Sequence, residues 1–147
     1  MAHTVNIFKI MDGPSHVTLH CFIQGDGASG DLSNFVLLDP STDLTPAMPK
    51  RQDLILKQIW YEMTGFSLTF SFNATTPWPF WTLTQGASLH HDWRFFGGLR
   101  DHSDSDGFGL TSDGKLMIST KDLSASNDSA SFVLWLEKRD RPNPQLD

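Results

Sequence analysis

The chain has 147 residues, 39% of them apolar and 19% charged, and a formal net charge of −6. Those figures describe one globular domain able to bury a core, and they exclude a disordered chain. The acidic balance, with a pI near 5.3, excludes the basic patch that nucleic acid or an anionic membrane surface demands.

The opening stretch "MAHTVNIFKIMDG" has no basic n-region and no long apolar run, so no secretory signal is expected. Nor does any run of about 20 apolar residues exist to cross a bilayer as a helix. Synthesis in a cytoplasm is the expectation. "VNIFKIM" is a first strand candidate. "SHVTLHCFIQ" alternates with period two, placing Val17, Leu19, Cys21 and Ile23 on one face and His16, Thr18, His20 and Phe22 on the other. Cys21, the single cysteine, falls on the apolar face and is expected to be a buried, inert thiol. "NFVLLD" is a short strand candidate. Residues 39–50 carry three prolines and no apolar period, enough chain to cross from one sheet to another. In "DLILKQIWYEM" the spacing fits a helix at Leu54, Ile55, Gln58 and Ile59, or a strand at Ile59, Tyr61 and Met63. The second half reads as strand and residues 50–56 stay open. "TGFSLTFSFN" puts Phe66, Leu68, Phe70 and Phe72 inward and Ser67, Thr69, Ser71 and Asn73 outward, with a hairpin expected at Thr64-Gly65. "FWTLT", "KLMIST" and "SFVLWLEK" complete the strand candidates, and Asp113-Gly114 suits a tight hairpin turn.

Seven to nine strands without a clear helix predict an all-β fold: a single-domain antiparallel β-sandwich over residues 1–140, followed by an extended proline-containing tail at 141–147. The immunoglobulin Cys…Trp…Cys pattern is absent, which favours a jelly-roll-like order.

The chemistry-bearing clusters are few. Adjacent strand residues His90 and His91 point to opposite faces and cannot easily share an ion. His16 and His20 are about 13 Å apart by strand rise. Residues 102–113, "HSDSDGFGLTSD", resemble a calcium loop in which His102 stands at the first ligand place and Asp113 at the last. A solvated acidic hairpin is the simpler reading. No nucleophile elbow, phosphate loop or paired catalytic carboxylates are found; Glu62 and Glu137 are the only glutamates. No catalytic residue, metal or cofactor is expected.

The densest stretch is "TTPWPFWTLTQGASLHHDWRFF", with three tryptophans, three phenylalanines and two prolines in residues 75–96. Pro77 and Pro79 suit a sheet edge, since neither can donate to a ladder. Trp78, Phe80 and Trp81, then Trp93, Arg94, Phe95, Phe96 and Arg100, are residue types favoured at protein interfaces. Gly97-Gly98 would let another backbone approach. The stretch is composed equally like a protein contact and like the rim of a core. Trp78, Trp81 and Trp93, with His90 or Asp92, could alternatively form a sugar-stacking platform.

Taken together, "VNIFKIMDGPSHVTLHCFIQGDG", "LILKQIWYEMTGFSLTFSFNATTPWPFWTL" and "SFVLWLEKRDRPNPQ" resemble small virion structural proteins of tailed bacteriophages, of the kind that decorate or cement the capsid. The resemblance implies a non-enzymatic virion component, made in the host bacterial cytoplasm, that braces the major capsid protein lattice as a homo-oligomer. A tail or neck location is equally compatible, and a carbohydrate-binding module is the alternative.

Overall fold

The computed structural model describes residues 3–40, 42–44, 52–73, 77–84, 86–100 and 115–140. The calcium-like loop at 102–113, the Asp113-Gly114 turn and the tail at 141–147 lie outside them. Among the described residues nine strands form: β1 (Thr4–Asp12), β2 (His16–Gln24), β3 (Phe35–Leu38), β4 (Gln52–Thr64), β5 (Ser67–Phe72), β6 (Trp78–Leu83), β7 (Gly86–Asp92), β8 (Leu116–Lys121) and β9 (Ser129–Asp140). One 3₁₀ turn, Arg94–Phe96, follows β7.

The strands make two antiparallel sheets, in the orders β1-β2-β9-β4-β7 and β3-β8-β5-β6. The pairs β2·β9, β3·β8, β4·β7 and β5·β6 are all present. They nest one inside the next, as in one long hairpin rolled into two sheets. That nesting is a jelly roll, with β1 added at the β2 edge. β3 and β4 belong to different sheets, so the chain changes sheet between these two strands, as expected.

Period-two burial builds the core. Val17, Leu19, Cys21 and Ile23 of β2 and Phe132, Leu134 and Leu136 of β9 are at most 1% exposed. They face Leu68, Phe70 and Phe72 of β5 and Leu116 and Ile118 of β8 in one cluster. Phe70 meets Phe132 edge-on across the layers, ring centroids 5.7 Å apart. Burial pushes the Cys21 thiol up to about 12, which keeps it protonated and unreactive.

Three local expectations change. The open segment before Leu56 is strand: β4 begins at Gln52, and a bulge between Leu56 and Gln58 breaks the alternation. That bulge buries Leu54, Ile55 and Leu56 in succession and mimics a helical period. Thr64-Gly65 is a chain reversal but not a hairpin, because β4 and β5 lie in different sheets. Ser71, expected outward, is 5% exposed. It stands between Pro79 and Met117 on the same face, and those neighbours cover it.

Carboxylates tie the loops at one end of the sandwich. Asp128 Oδ2 accepts the N–H groups of Ser124 and Ala125, each at 3.0 Å. Asp26 accepts the N–H groups of Ala28 and Ser29 at 2.8 and 2.7 Å, and the Ser29 hydroxyl as well. The Ser29 and Ala28 bonds hold the Asp26 carboxyl well below the usual carboxylate range. Desolvation would raise Asp31, but bonds from Leu123 N, Thr120 Oγ1 and Asp122 N outweigh it and lower the value. Groups lowered on folding stabilise the native state above the ordinary carboxyl value of 3.8. They lose that contribution as pH falls through the folded values. The melting temperature should therefore hold between about pH 7 and 5 and fall below about pH 4. Asp31→Asn should lower it at neutral pH and flatten the acid fall. A melting series that shows the same acid slope in both proteins would contradict this assignment.

Candidate functional site

The segment after β7 builds a projecting knuckle. Trp93 N donates to Lys57 O at 2.9 Å, and Leu56 and Leu99 exchange two backbone bonds at 2.9 and 3.0 Å, so β4 grips the segment at both ends. Gly97 and Gly98 have φ of +94 and +92. A Cβ on Gly98 would lie 2.6 Å from Ile55 Cγ2 and 2.9 Å from Leu56 O. The close approach foreseen for this glycine pair is thus made to the chain's own β4. Lys57 Nζ, itself buried, donates to Gly97 O at 2.9 Å and pairs with Glu137 at 3.3 Å. Asp92 accepts the Arg94 N–H at 3.0 Å and holds its guanidinium through Nε and Nη2 at 2.8 to 3.1 Å. The Arg94 hydrogen bonds bring the Asp92 carboxyl down to about 2.

On this frame Phe95 and Phe96 are 86% and 55% exposed, packed edge-on at 4.8 Å. Their neighbours in the sequence go elsewhere. Trp93 is 5% exposed and belongs to the core cluster. Trp81 meets it edge-on at 4.9 Å. His91 points inward and stacks on Tyr61 and Trp93, both at 5.6 Å. Phe80, next to the bulge between Phe70 and Ser71, stacks on Phe72 at 4.6 Å. Arg100 is half-buried. As expected from Pro77 and Pro79, β6 is an edge strand; the side chain of Trp78 lies outside the described residues. Of the predicted interface residues, Arg94, Phe95 and Phe96 share an exposed surface, while Phe80, Trp81 and Trp93 close the sandwich between β6 and β7. Trp81 and Trp93 do not form a flat sugar platform, because they pack on each other and inward.

A second exposed aromatic surface is built by residues mostly outside the dense stretch. It lies on the outer face of the five-stranded sheet. One cross-strand row there runs Thr18, Trp135, Gln58, Asp92; the next runs His20, Val133, Trp60, His90. Met11 and Phe8 extend the two rows onto β1 and are 51% and 58% exposed. Trp60 is 43% exposed. His90 stacks on it at 4.8 Å with rings 7° apart, and His16 stacks on Trp135 at 4.7 Å with rings 11° apart. His90 Nε2 donates to Gln58 Oε1 at 2.9 Å. The available signal was the alternation itself: Trp60 and Trp135 stand on the faces of their strands opposite Ile59, Tyr61, Leu134 and Leu136.

His90 and His91 do point to opposite faces, and His20 bonds Ser131 Oγ at 3.1 Å. Among the described residues, no three His, Cys, Asp or Glu side chains converge as a metal site would require, and no helix is long and apolar enough to cross a membrane.

No protein-family model matches the chain, and no curated protein matches it. Among solved structures it is similar to an RmlC-like cupin family protein with a double-stranded β-helix fold from Methanocaldococcus jannaschii. The identity is 7% and the TM-score 0.33, over 99% of this chain and 86% of that one. It is also similar to Peruvianin-I, a cysteine peptidase from Thevetia peruviana latex, at 12% identity and a TM-score of 0.33, over 95% of this chain and 63% of that one. Likeness at this level transfers no function, and the jelly-roll assignment rests on the strand order alone.

Proposed function

We propose that the chain is a non-enzymatic structural subunit of a tailed-phage virion, a decoration or cement protein that braces the major capsid protein lattice. The virion setting comes from the resemblance of its sequence. The observation that supports action by contact is the Phe95–Phe96 knuckle, two exposed rings on a segment clamped to β4 and flanked by a fixed Arg94. Full burial of one such ring contributes about 1.5–3 kcal/mol. A rigid knuckle also loses little conformational entropy on docking. Repeated around the symmetry axes of a shell, a modest contact of this kind accumulates through avidity.

The test is incorporation. The double variant Phe95→Ala/Phe96→Ala should fold like the parent, since neither ring belongs to the core, and its occupancy on purified particles should fall by about tenfold or more. Circular dichroism checks the fold and quantitative mass spectrometry reads the occupancy. Full occupancy by a folded double variant contradicts the assignment of the knuckle.

A further inference from the structure

A second surface on the molecule carries different chemistry from the knuckle. Trp60, Trp135, Arg94, Gln58 and Thr18 line one open depression of about 290 Å³ on the outer face of the five-stranded sheet. A second depression of about 370 Å³ adjoins it, with Trp60 and His90 in its wall. Trp60 is therefore the ridge between two neighbouring hollows. Each is near the lower end of the roughly 300–1,000 Å³ typical of small-molecule sites.

The lining combines flat rings with planar hydrogen-bonding groups. Each tryptophan has one ring face covered by a histidine, Trp60 by His90 and Trp135 by His16. These stacks restrict the rotation of both indoles. Gln58 is 7% exposed; its Oε1 is engaged by His90, and its Nε2 has no hydrogen-bond partner among the described residues. Arg94 is fixed by Asp92 through Nε and Nη2, and its Nη1 has no partner among the described residues. Thr18 adds a hydroxyl from the same row as Gln58 and Trp135. The ionic pair cancels its own charge, Gln58 and Thr18 carry none, and Glu62 in the wall of the second hollow disfavours an anionic ligand.

A ligand suited to this lining has an apolar face of C–H groups for an indole and a rim of hydroxyls for the amide, guanidinium and threonine. It carries no charge, and it repeats along two adjoining hollows. We propose that the Trp60–Trp135 face binds a neutral, unbranched oligosaccharide, one ring beside each hollow with Trp60 between them. A purely apolar protein surface would leave the Gln58 Nε2 and Arg94 Nη1 donors buried without acceptors, at a cost of about 1–3 kcal/mol each. Sugar hydroxyls would supply those acceptors. The proposal goes beyond capsid docking and does not rest on it, because the two surfaces use different rings.

The full chain is titrated with cellohexaose, maltohexaose, chitohexaose and, as the acidic comparator, a heparin hexasaccharide, reading tryptophan fluorescence and heat. Saturable binding of at least one neutral hexasaccharide is expected. Trp60→Ala and Trp135→Ala should each weaken it by about tenfold or more, and Phe95→Ala/Phe96→Ala should leave it unchanged. Trp60 is exposed, Trp135 is half-buried and neither belongs to the core cluster; circular dichroism with thermal melting confirms that the variants fold. Trp60→Phe, which keeps a flat ring, should recover most of the affinity. Silence toward all three neutral probes, binding of the heparin fragment alone, or neutral binding indifferent to Trp60 and Trp135 would each overturn the proposal.

Discussion

Phe70→Ala is expected to lower the unfolding free energy by about 3–5 kcal/mol. Phe70 is fully buried. It sits on β5, the strand between β8 and β6, and reaches across the layers to Phe132 at 5.7 Å and along its own sheet to Phe80 at 6.2 Å. Removing the ring leaves a void in a place both sheets share. The flanking strands are held in register by their ladders and can collapse only in part. A domain of this size has about 5–15 kcal/mol of stability in total, so the variant should sit near the edge of folding. Urea unfolding at 25 °C measures it. A loss under about 1 kcal/mol would mean that the two sheets do not pack through this ring.

Gly65→Ala should cost nearly as much for a different reason. Gly65 turns the chain from one sheet to the other with φ of +93, where a side chain is strained by about 1–2 kcal/mol. A Cβ there would also lie 1.9 Å from Asp128 Oδ1. Asp128 is 7% exposed, and its other oxygen caps Ser124 and Ala125. The methyl must push this carboxylate out of its bonds, and the total should reach about 3 kcal/mol or more. Gly97→Ala is the internal control. It has nearly the same φ, +94, with nothing within 4 Å of the added Cβ, so it carries the backbone strain alone. Equal losses in the two variants would show that the Asp128 contact does not form.

The core was legible because the physics that built it is local. In β2, β5 and β9 the apolar residues recur at every second position, and one face of each strand is buried as written. The jelly-roll order was favoured only by elimination. The nested pairs β2·β9 and β3·β8 join residues 78 to 121 positions apart, and no local pattern encodes such a pairing. Where bulges intervene, as at Leu56/Gln58 in β4, the period shifts and a strand imitates a helix. The dense aromatic stretch misled for a related reason. Composition cannot say which side of a strand a ring occupies, so buried Trp93 and exposed Phe95 looked alike. Composition does not single out Trp60 and Trp135, because each is the one tryptophan of its strand. Only the β4·β9 ladder, with Gln58 opposite Trp135 and Trp60 opposite Val133, places them on one surface.

The most direct measurement of the proposed role is the protein content of purified particles. Under the proposed virion role, particles banded from lysates of the source phage are washed and quantified by mass spectrometry, beside particles from a deletion mutant. The account predicts a fixed copy number of this chain per major capsid protein, and deletion particles that release their DNA at lower temperature. Washed particles that lack the chain while the soluble fraction holds all of it would contradict the account.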